Sequence, residues 1–286
     1  MELIRAAAEL GELTGGWRAQ GHSVALVPTM GALHAGHRSL LRAAREDADR
    51  VVVSIFVNPL QFGRDEDLAR YPRDEPHDLE VCEAEGAAAV WAPPVEEVYP
   101  LGVSAAHPDP GPVGDLYEGA ARPGHFAGVL QVVHRLLTVV GPCDAYFGEK
   151  DAQQLFLVRR MVARAPALGV RIVACPTERE PDGLAWSSRN AYLGAEERAQ
   201  ATCLFLALTE SAARARAGER DTKVLVAVMA REIGATPLAR LDYAAVVAEA
   251  TFEPVGSIDG AVRAIVAARF PSARLLDNLL LPESAA

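Results

Sequence analysis

Short apolar runs alternate with amphipathic stretches through the first 175 residues. Val24-Ala-Leu-Val27 is a β-like run stopped by Pro28, and from His37 to Ala48 the apolar Leu40, Leu41 and Ala44 recur at helical spacing. Val51-Val-Val-Ser-Ile-Phe-Val57 is almost unbroken, the pattern of a strand covered on both faces. Further helices are expected near 78–85, 128–140 and 153–165, with strands at 87–91, 145–147 and 170–174. Such alternation predicts an α/β fold, a doubly wound parallel sheet of Rossmann-like type. Ligands of these sheets lie beyond the carboxyl ends of the strands, so residues that do chemistry are sought there.

Past Cys175 the pattern changes. Residues 195–217 form a long Ala-rich helical stretch, 222–233 a second, and three β-like runs follow at 241–248, 261–267 and 275–281. Helices followed by strands read as a smaller α+β domain, so the chain divides into 1–175 and 176–286.

Composition narrows the classes. Half of the 286 residues are hydrophobic, enough to fill a core, and disorder is excluded. No stretch approaches the roughly 18 apolar residues that cross a bilayer, so no membrane partner is expected. The first five residues mix acid and base without an apolar run, and a cytoplasmic location is expected. Lys and Arg number 28 against 38 Asp and Glu, a net charge of −10 that repels nucleic acid. An anionic ligand would have to be held by local donors. Cys82, Cys143, Cys175 and Cys203 form no CxxC pair and read as reduced core residues.

Four segments carry candidate chemistry. In Pro28-Thr-Met-Gly-Ala-Leu-His34-Ala-Gly-His37, two histidines three apart sit at a strand-to-helix turn, where the free N–H groups of a helix start favour anions. Imidazolium N–H groups there would stabilise the extra charge of a pentavalent phosphorus. In Asn58-Pro-Leu-Gln61, neutral amides stand where the next strand runs out, suited to a hydroxy acid. In Gly148-Glu-Lys150-Asp151-Ala-Gln-Gln154, the lysine is a point charge for phosphate and the aspartate an acceptor for ribose hydroxyls. In Trp186-Ser187-Ser188-Arg189, hydroxyls and a guanidinium offer several donors, and the position past the domain boundary suggests a closing lid.

The first segment resembles the HxGH signature of the nucleotidyltransferase and class I aminoacyl-tRNA synthetase superfamily. Together the four, with Arg70-Tyr-Pro-Arg-Asp74, Arg122-Pro-Gly-His-Phe126 and Leu275-Leu-Asp-Asn278, resemble the pantoate–β-alanine ligase family from about residue 3 to residue 281. The resemblance implies ligation in two steps. Pantoate attacks ATP to give pantoyl adenylate and pyrophosphate; β-alanine then displaces AMP to give pantothenate. It also implies an ATP site lined by Met30, Gly31, Ala32, Leu33, His34, Ala35, Gly36 and His37, with His34 and His37 on the phosphates and His37 as proton donor. Gly148, Glu149, Lys150 and Asp151 would bind nucleotide, Lys150 on phosphate. The backbone near Glu178 would read adenine, and Trp186 to Arg189 would be the second signature loop. Gln61, Gln154 and Asn58 would take pantoate and β-alanine. Mg²⁺ is expected with ATP, Asp78 is the one position that carries over from a proposed metal site, and a homodimer is implied. The sequence departs from the family's usual residues at Gln131, Ala152, Glu178 and Trp186. Readings set beside this one are another adenylyltransferase, disfavoured by the neutral Gln61 and Gln154, and a nucleotide-binding protein without catalysis. A nicotinamide oxidoreductase is disfavoured by the absence of G-x-G-x-x-G after the first strand.

Overall fold

The structure, a computed structural model, describes residues 1–63, 67–100 and 108–282. By contacts the chain forms two compact units, one of residues 1–149 and 153–176, the other of residues 150–152 and 177–286.

In the first unit the elements run β1 (Glu2–Ile4), α1 (Ala7–Ala19), β2 (Val24–Thr29), α2 (Ala35–Asp47), β3 (Arg50–Ile55), α3 (Glu75–Ala84) and β4 (Ala89–Trp91). Then come α4 (Val95–Val98), α5 (Glu118–Ala121), α6 (His125–Val140), β5 (Asp144–Gly148), α7 (Ala152–Arg164) and β6 (Arg171–Cys175). The six strands form one sheet in the order β1-β4-β3-β2-β5-β6, every pair parallel. The order runs one way from β2 to β4 and the other way from β5 to β6. The reversal between β2 and β5 is the switch point at which such sheets bind ligands.

Strands β2 and β3 are buried along most of their length because helices cover both faces, which explains their unalternating sequence. Leu40, Leu41 and Ala44 of α2 pack with Val27, Val51 and Val53 of the sheet and with Val81 and Cys82 of α3. On the opposite side of α2, Arg38 and Arg42 both donate to the Glu85 carboxylate at the end of α3 (2.9 and 2.8 Å). Those guanidiniums hold Glu85 below the usual carboxylate range.

The second unit contains α8 (Ala195–Gln200), α9 (Cys203–Arg216) and α10 (Thr222–Gly234), followed by an antiparallel sheet of β7 (Arg240–Ala248), β8 (Val262–Arg269) and β9 (Arg274–Leu280). The central β8 is buried at seven of its eight positions, packed under Leu204, Leu208, Met229 and Ile233 of the helices. The expected single helix over 195–217 is two, because the first turn of α8 is anchored separately. Glu197 accepts there from Gly194 N and from the N and Oγ of Ser272. All four cysteines are free and buried, and burial pushes the thiols of Cys82 and Cys143 up to about 12. No helix among the described residues is long and apolar enough to cross a membrane.

Candidate active site

In the first unit, β2 ends in a tight turn held from two directions. Thr29 Oγ1 donates to Ser54 O (2.7 Å) and accepts from Gly31 N (3.2 Å). Gly31 and Ala32 then take positive φ, +78° and +53°. For alanine this is strained, costing about 1–2 kcal/mol. Asp78, in the first turn of α3, holds the turn there. Its Oδ2 accepts from Ala32 N (3.0 Å) and its Oδ1 from Leu33 N (2.7 Å). A Cβ on residue 31 would lie 2.8 Å from Asp78 Oδ2, so the approach requires glycine. Asp78 is 1% exposed, and burial raises its pKa more than the two N–H groups lower it.

The turn delivers His34 as the N-cap of α2. Its Nδ1 accepts from Gly36 N (3.2 Å), and His34 N donates in turn to Nδ1 of His37 (3.3 Å). The ring centroids are 4.1 Å apart. With both Nδ1 atoms accepting, the hydrogen-bond pattern assigns the proton of each ring to Nε2. The donors expected as imidazolium are therefore neutral Nε2–H groups, since a proton on Nδ1 would meet a backbone N–H.

Beyond β3, residues Pro59–Gln61 form one 3₁₀ turn, capped by Asn58 through Leu60 N (3.2 Å). Asn58, expected as a substrate contact, is 1% exposed, and its amide oxygen also accepts from Tyr99 Oη (2.8 Å). Its amide nitrogen donates to Gln61 Oε1 and to Gly128 O, both 3.1 Å. That is the full complement of an amide, so Asn58 is spent on partners within the protein. Gln61 Nε2 lies 3.1 Å from Met30 Sδ, a weak acceptor. The Gln61 backbone oxygen is held by His125 Nδ1 (2.9 Å) and Arg122 Nη2 (3.2 Å). Gly128 of α6 passes so close that a Cβ there would overlap Leu60 O. Gln154, near the start of α7, is half-buried, whereas its neighbour Gln153 is spent on Glu118 N, Val113 O and Leu116 O.

The second unit holds the remaining candidates. Lys150 Nζ lies 3.5 Å from an oxygen of Asp151, and Lys150 O accepts from Asn278 Nδ2 (2.8 Å). Residues 178–186 fold back on themselves, with Trp186 N donating to Glu178 O (3.0 Å). Arg179 braces that loop. It donates to both carboxylate oxygens of buried Asp277 (2.6 and 2.9 Å), and its guanidinium lies 4.5 Å from the centre of the Phe205 ring. Ser187 then caps the turn Ser188–Tyr192 by accepting from Arg189 N (3.3 Å).

Sequence reading missed Tyr99 and the backbone role of Asp78. Each acts across more than 40 residues of chain, with no local spacing to announce it. Among the described residues, no group of three His, Cys, Asp or Glu could hold a metal, and both Asp78 oxygens serve the backbone.

A parallel sheet with paired imidazoles at the helix start beyond β2, beside the switch point, defines a Rossmann-like α/β enzyme. The pantoate–β-alanine ligase family model matches residues 2–280. Pantothenate synthetase of Rubrobacter xylanophilus is 49% identical, with 98% of each chain covered. That of Acidothermus cellulolyticus is 52% identical over 96% of this chain and 90% of its own. A crystal structure of pantothenate synthetase from Thermus thermophilus superposes with a TM-score of 0.92 at 44% identity, covering 99% of this chain and all of that one. The Francisella tularensis ligase, complexed with β-γ ATP and β-alanine, gives 0.80 at 30% identity over 98% and 97% of the chains. The chain belongs to the pantoate–β-alanine ligase family.

Proposed function

We propose that His34 and His37 act on the phosphates of ATP while Gln61 and Gln154 hold pantoate, in the ATP-dependent ligation of pantoate to β-alanine. A free carboxylate does not acylate an amine at neutral pH because oxide would have to leave. In the first step a pantoate carboxylate oxygen attacks the α-phosphorus, the bond to the β-phosphate oxygen breaks, and pyrophosphate departs. In the second, the neutral amine of β-alanine attacks the acyl carbon, AMP leaves with the electron pair of the acyl–oxygen bond, and the nitrogen sheds one proton to solvent.

The observation that carries this reading is the pair of backbone N–H groups bonded to the two Nδ1 atoms, which assigns the proton of each ring to Nε2. Two Nε2–H groups, fixed by the cap of α2, are donors that need no reorganisation as charge builds on the phosphoryl oxygens. Being neutral, they give up no proton in donating. The reading gives His37, the expected proton donor, a hydrogen bond from its Nε2–H to the departing pyrophosphate, with the proton kept on the ring.

Met30 to His37 and Gly148 to Asp151 are read as nucleotide-binding, with Lys150 on phosphate and Asp151 on ribose. Glu178 is read as an adenine contact through its backbone, and Trp186 to Arg189 as contacts of the triphosphate. Mg²⁺ arrives as part of the Mg–ATP substrate. A cytoplasmic homodimer is the assembly the reading implies.

The test is pyrophosphate release from Mg–ATP and pantoate, with and without β-alanine. The reading expects a signal that requires pantoate and turns over steadily only with β-alanine. His34→Ala and His37→Ala each lower kcat of the first step by about 2–4 kcal/mol, the size of one lost transition-state donor. Unchanged release by both variants refutes the role.

A further inference from the structure

We infer that Tyr99 is a positioning residue that fixes, through Asn58, which end of the Gln61 amide faces the substrate. The inference rests on the reading of Gln61 as a pantoate ligand. A glutamine side chain is nearly symmetric in shape but not in chemistry. One end donates and the other accepts, and a 180° rotation exchanges them at little steric cost. A site that must recognise the oxygens of a hydroxy acid needs the donating end.

Here the choice is made by residues behind Gln61. Asn58 Oδ1 receives two donors, the Tyr99 hydroxyl at 2.8 Å and Leu60 N–H at 3.2 Å. That orients the Asn58 amide: flipped, its NH₂ would oppose the Leu60 N–H, and the Tyr99 hydroxyl would lose the acceptor for its proton. Asn58 Nδ2 must then point at Gln61 and Gly128 O, and it donates to each at 3.1 Å. Gln61 can meet that N–H only with its Oε1, so its Nε2 becomes the end turned away. That nitrogen meets the thioether of Met30 at 3.1 Å, too weak an acceptor to compete with a carboxylate or alkoxide oxygen.

The head of the chain is firmly held. Tyr99 is 6% exposed and its ring packs edge-on against Phe56, centroids 6.2 Å apart. Burial raises its pKa, so the phenol remains a donor across the working pH range. The Asn58–Gln61 turn cannot slide to find another pairing, because the Gln61 carbonyl is fixed by His125 and Arg122 and Gly128 of α6 sits on Leu60. Tyr99, Asn58 and Gln61 are all buried, and there an amide facing the wrong way leaves unpaired groups and is costly.

Two substitutions and a cycle test this. Tyr99→Phe keeps the ring and removes one of two donors; pantoate KM rises about 5-fold while ATP KM stays within 2-fold. Asn58→Asp keeps the shape but accepts where the amide donated. Gln61 then turns its NH₂ inward and offers Oε1 outward, and pantoate KM rises at least 50-fold with ATP KM again little changed. In a Gln61→Ala background, Tyr99→Phe has no further effect on pantoate KM, since its target is gone. Thermal unfolding of each variant separates loss of fold from loss of recognition.

Equal shifts of pantoate and ATP KM, a wild-type pantoate KM in Tyr99→Phe and Asn58→Asp, or an undiminished Tyr99→Phe effect in the Gln61→Ala background each overturn the inference. A wild-type pantoate KM in Gln61→Ala overturns the reading of Gln61 itself, and the inference falls with it. A raised KM in Gln61→Ala beside normal Tyr99→Phe and Asn58→Asp variants removes the inference alone.

Discussion

Asp78 is the point at which a small change separates catalysis from stability. Asp78→Asn preserves volume and removes the charge. In the wild type two backbone N–H groups, the half-buried one of Ala32 and the buried one of Leu33, donate to the carboxylate at 3.0 and 2.7 Å. Hydrogen bonds to a charged group are worth about 1.5–3 kcal/mol each. The amide can accept one of these N–H groups, but its NH₂ faces the other and leaves a buried donor unpaired, a cost of about 1–3 kcal/mol. Against this stands a gain. The Asp78 pKa is raised from its ordinary 3.8 because burial outweighs the two N–H bonds, so the wild type keeps its carboxylate ionised at a cost the neutral amide escapes.

The net loss at neutral pH is therefore about 1–2 kcal/mol, or roughly 2–8 °C in Tm. The sign of the pH dependence follows. A raised carboxylate pKa means the folded state binds the extra proton, so wild-type stability from this group is greatest below the ordinary value and falls as pH rises through the folded one. The gap between wild type and variant widens on acidification. Activity behaves differently. Ala32 is held at φ +53° by Asp78, and once released it relaxes and carries the His34 cap with it. A displacement near 1 Å costs about 10²-fold in rate, so kcat for pyrophosphate release falls about 100-fold in a protein that is still folded. Ala32→Gly added to the variant removes the strain that drives relaxation and recovers part of the rate. A kcat within threefold of wild type, or a loss that only follows the unfolded fraction, refutes this account of the turn.

Two further outcomes are expected. Gly128→Ala places a methyl group on Leu60 O and displaces the turn bearing Gln61; pantoate KM rises at least 10-fold, and ordinary steady-state kinetics check it. Glu85→Gln removes the carboxylate shared by Arg38 and Arg42, whose exposure limits the effect to about 1 kcal/mol at pH 7. Because those arginines lower the Glu85 pKa from its ordinary 4.5, the stability is present above that value and disappears as pH falls through the folded one. Urea unfolding at pH 7 and pH 3 reads this as a gap that narrows in acid, and a pH-independent gap contradicts it.

The alternation of apolar runs and amphipathic stretches was legible because β2, β3 and α2 obey local rules. Buried parallel strands are apolar throughout, and α2 carries its apolar stripe at helical spacing. The His34–His37 turn was legible too, since capping and pairing act within four residues. Helix α1 was not. Gly11, Gly15 and Gly16 make it a weak helix by propensity. It is secured by distant contacts, Thr14 and Arg18 donating to Val140 O at 3.0 and 2.8 Å. Strand β1, three residues long, exists only through its pairing with β4.

The sequence by itself thus determined most of the strands and helices, β1 and α1 aside, and which side chains stand at the strand ends. Only the tertiary structure decided how those side chains are aimed. Asp78 reaches back 45 residues to Leu33, Tyr99 41 residues to Asn58, and Arg179 forward 98 residues to Asp277. The physical reason is that a hydrogen bond is made between neighbours in space. Periodicity reports which way a residue faces, but the partner it meets there depends on how distant elements pack.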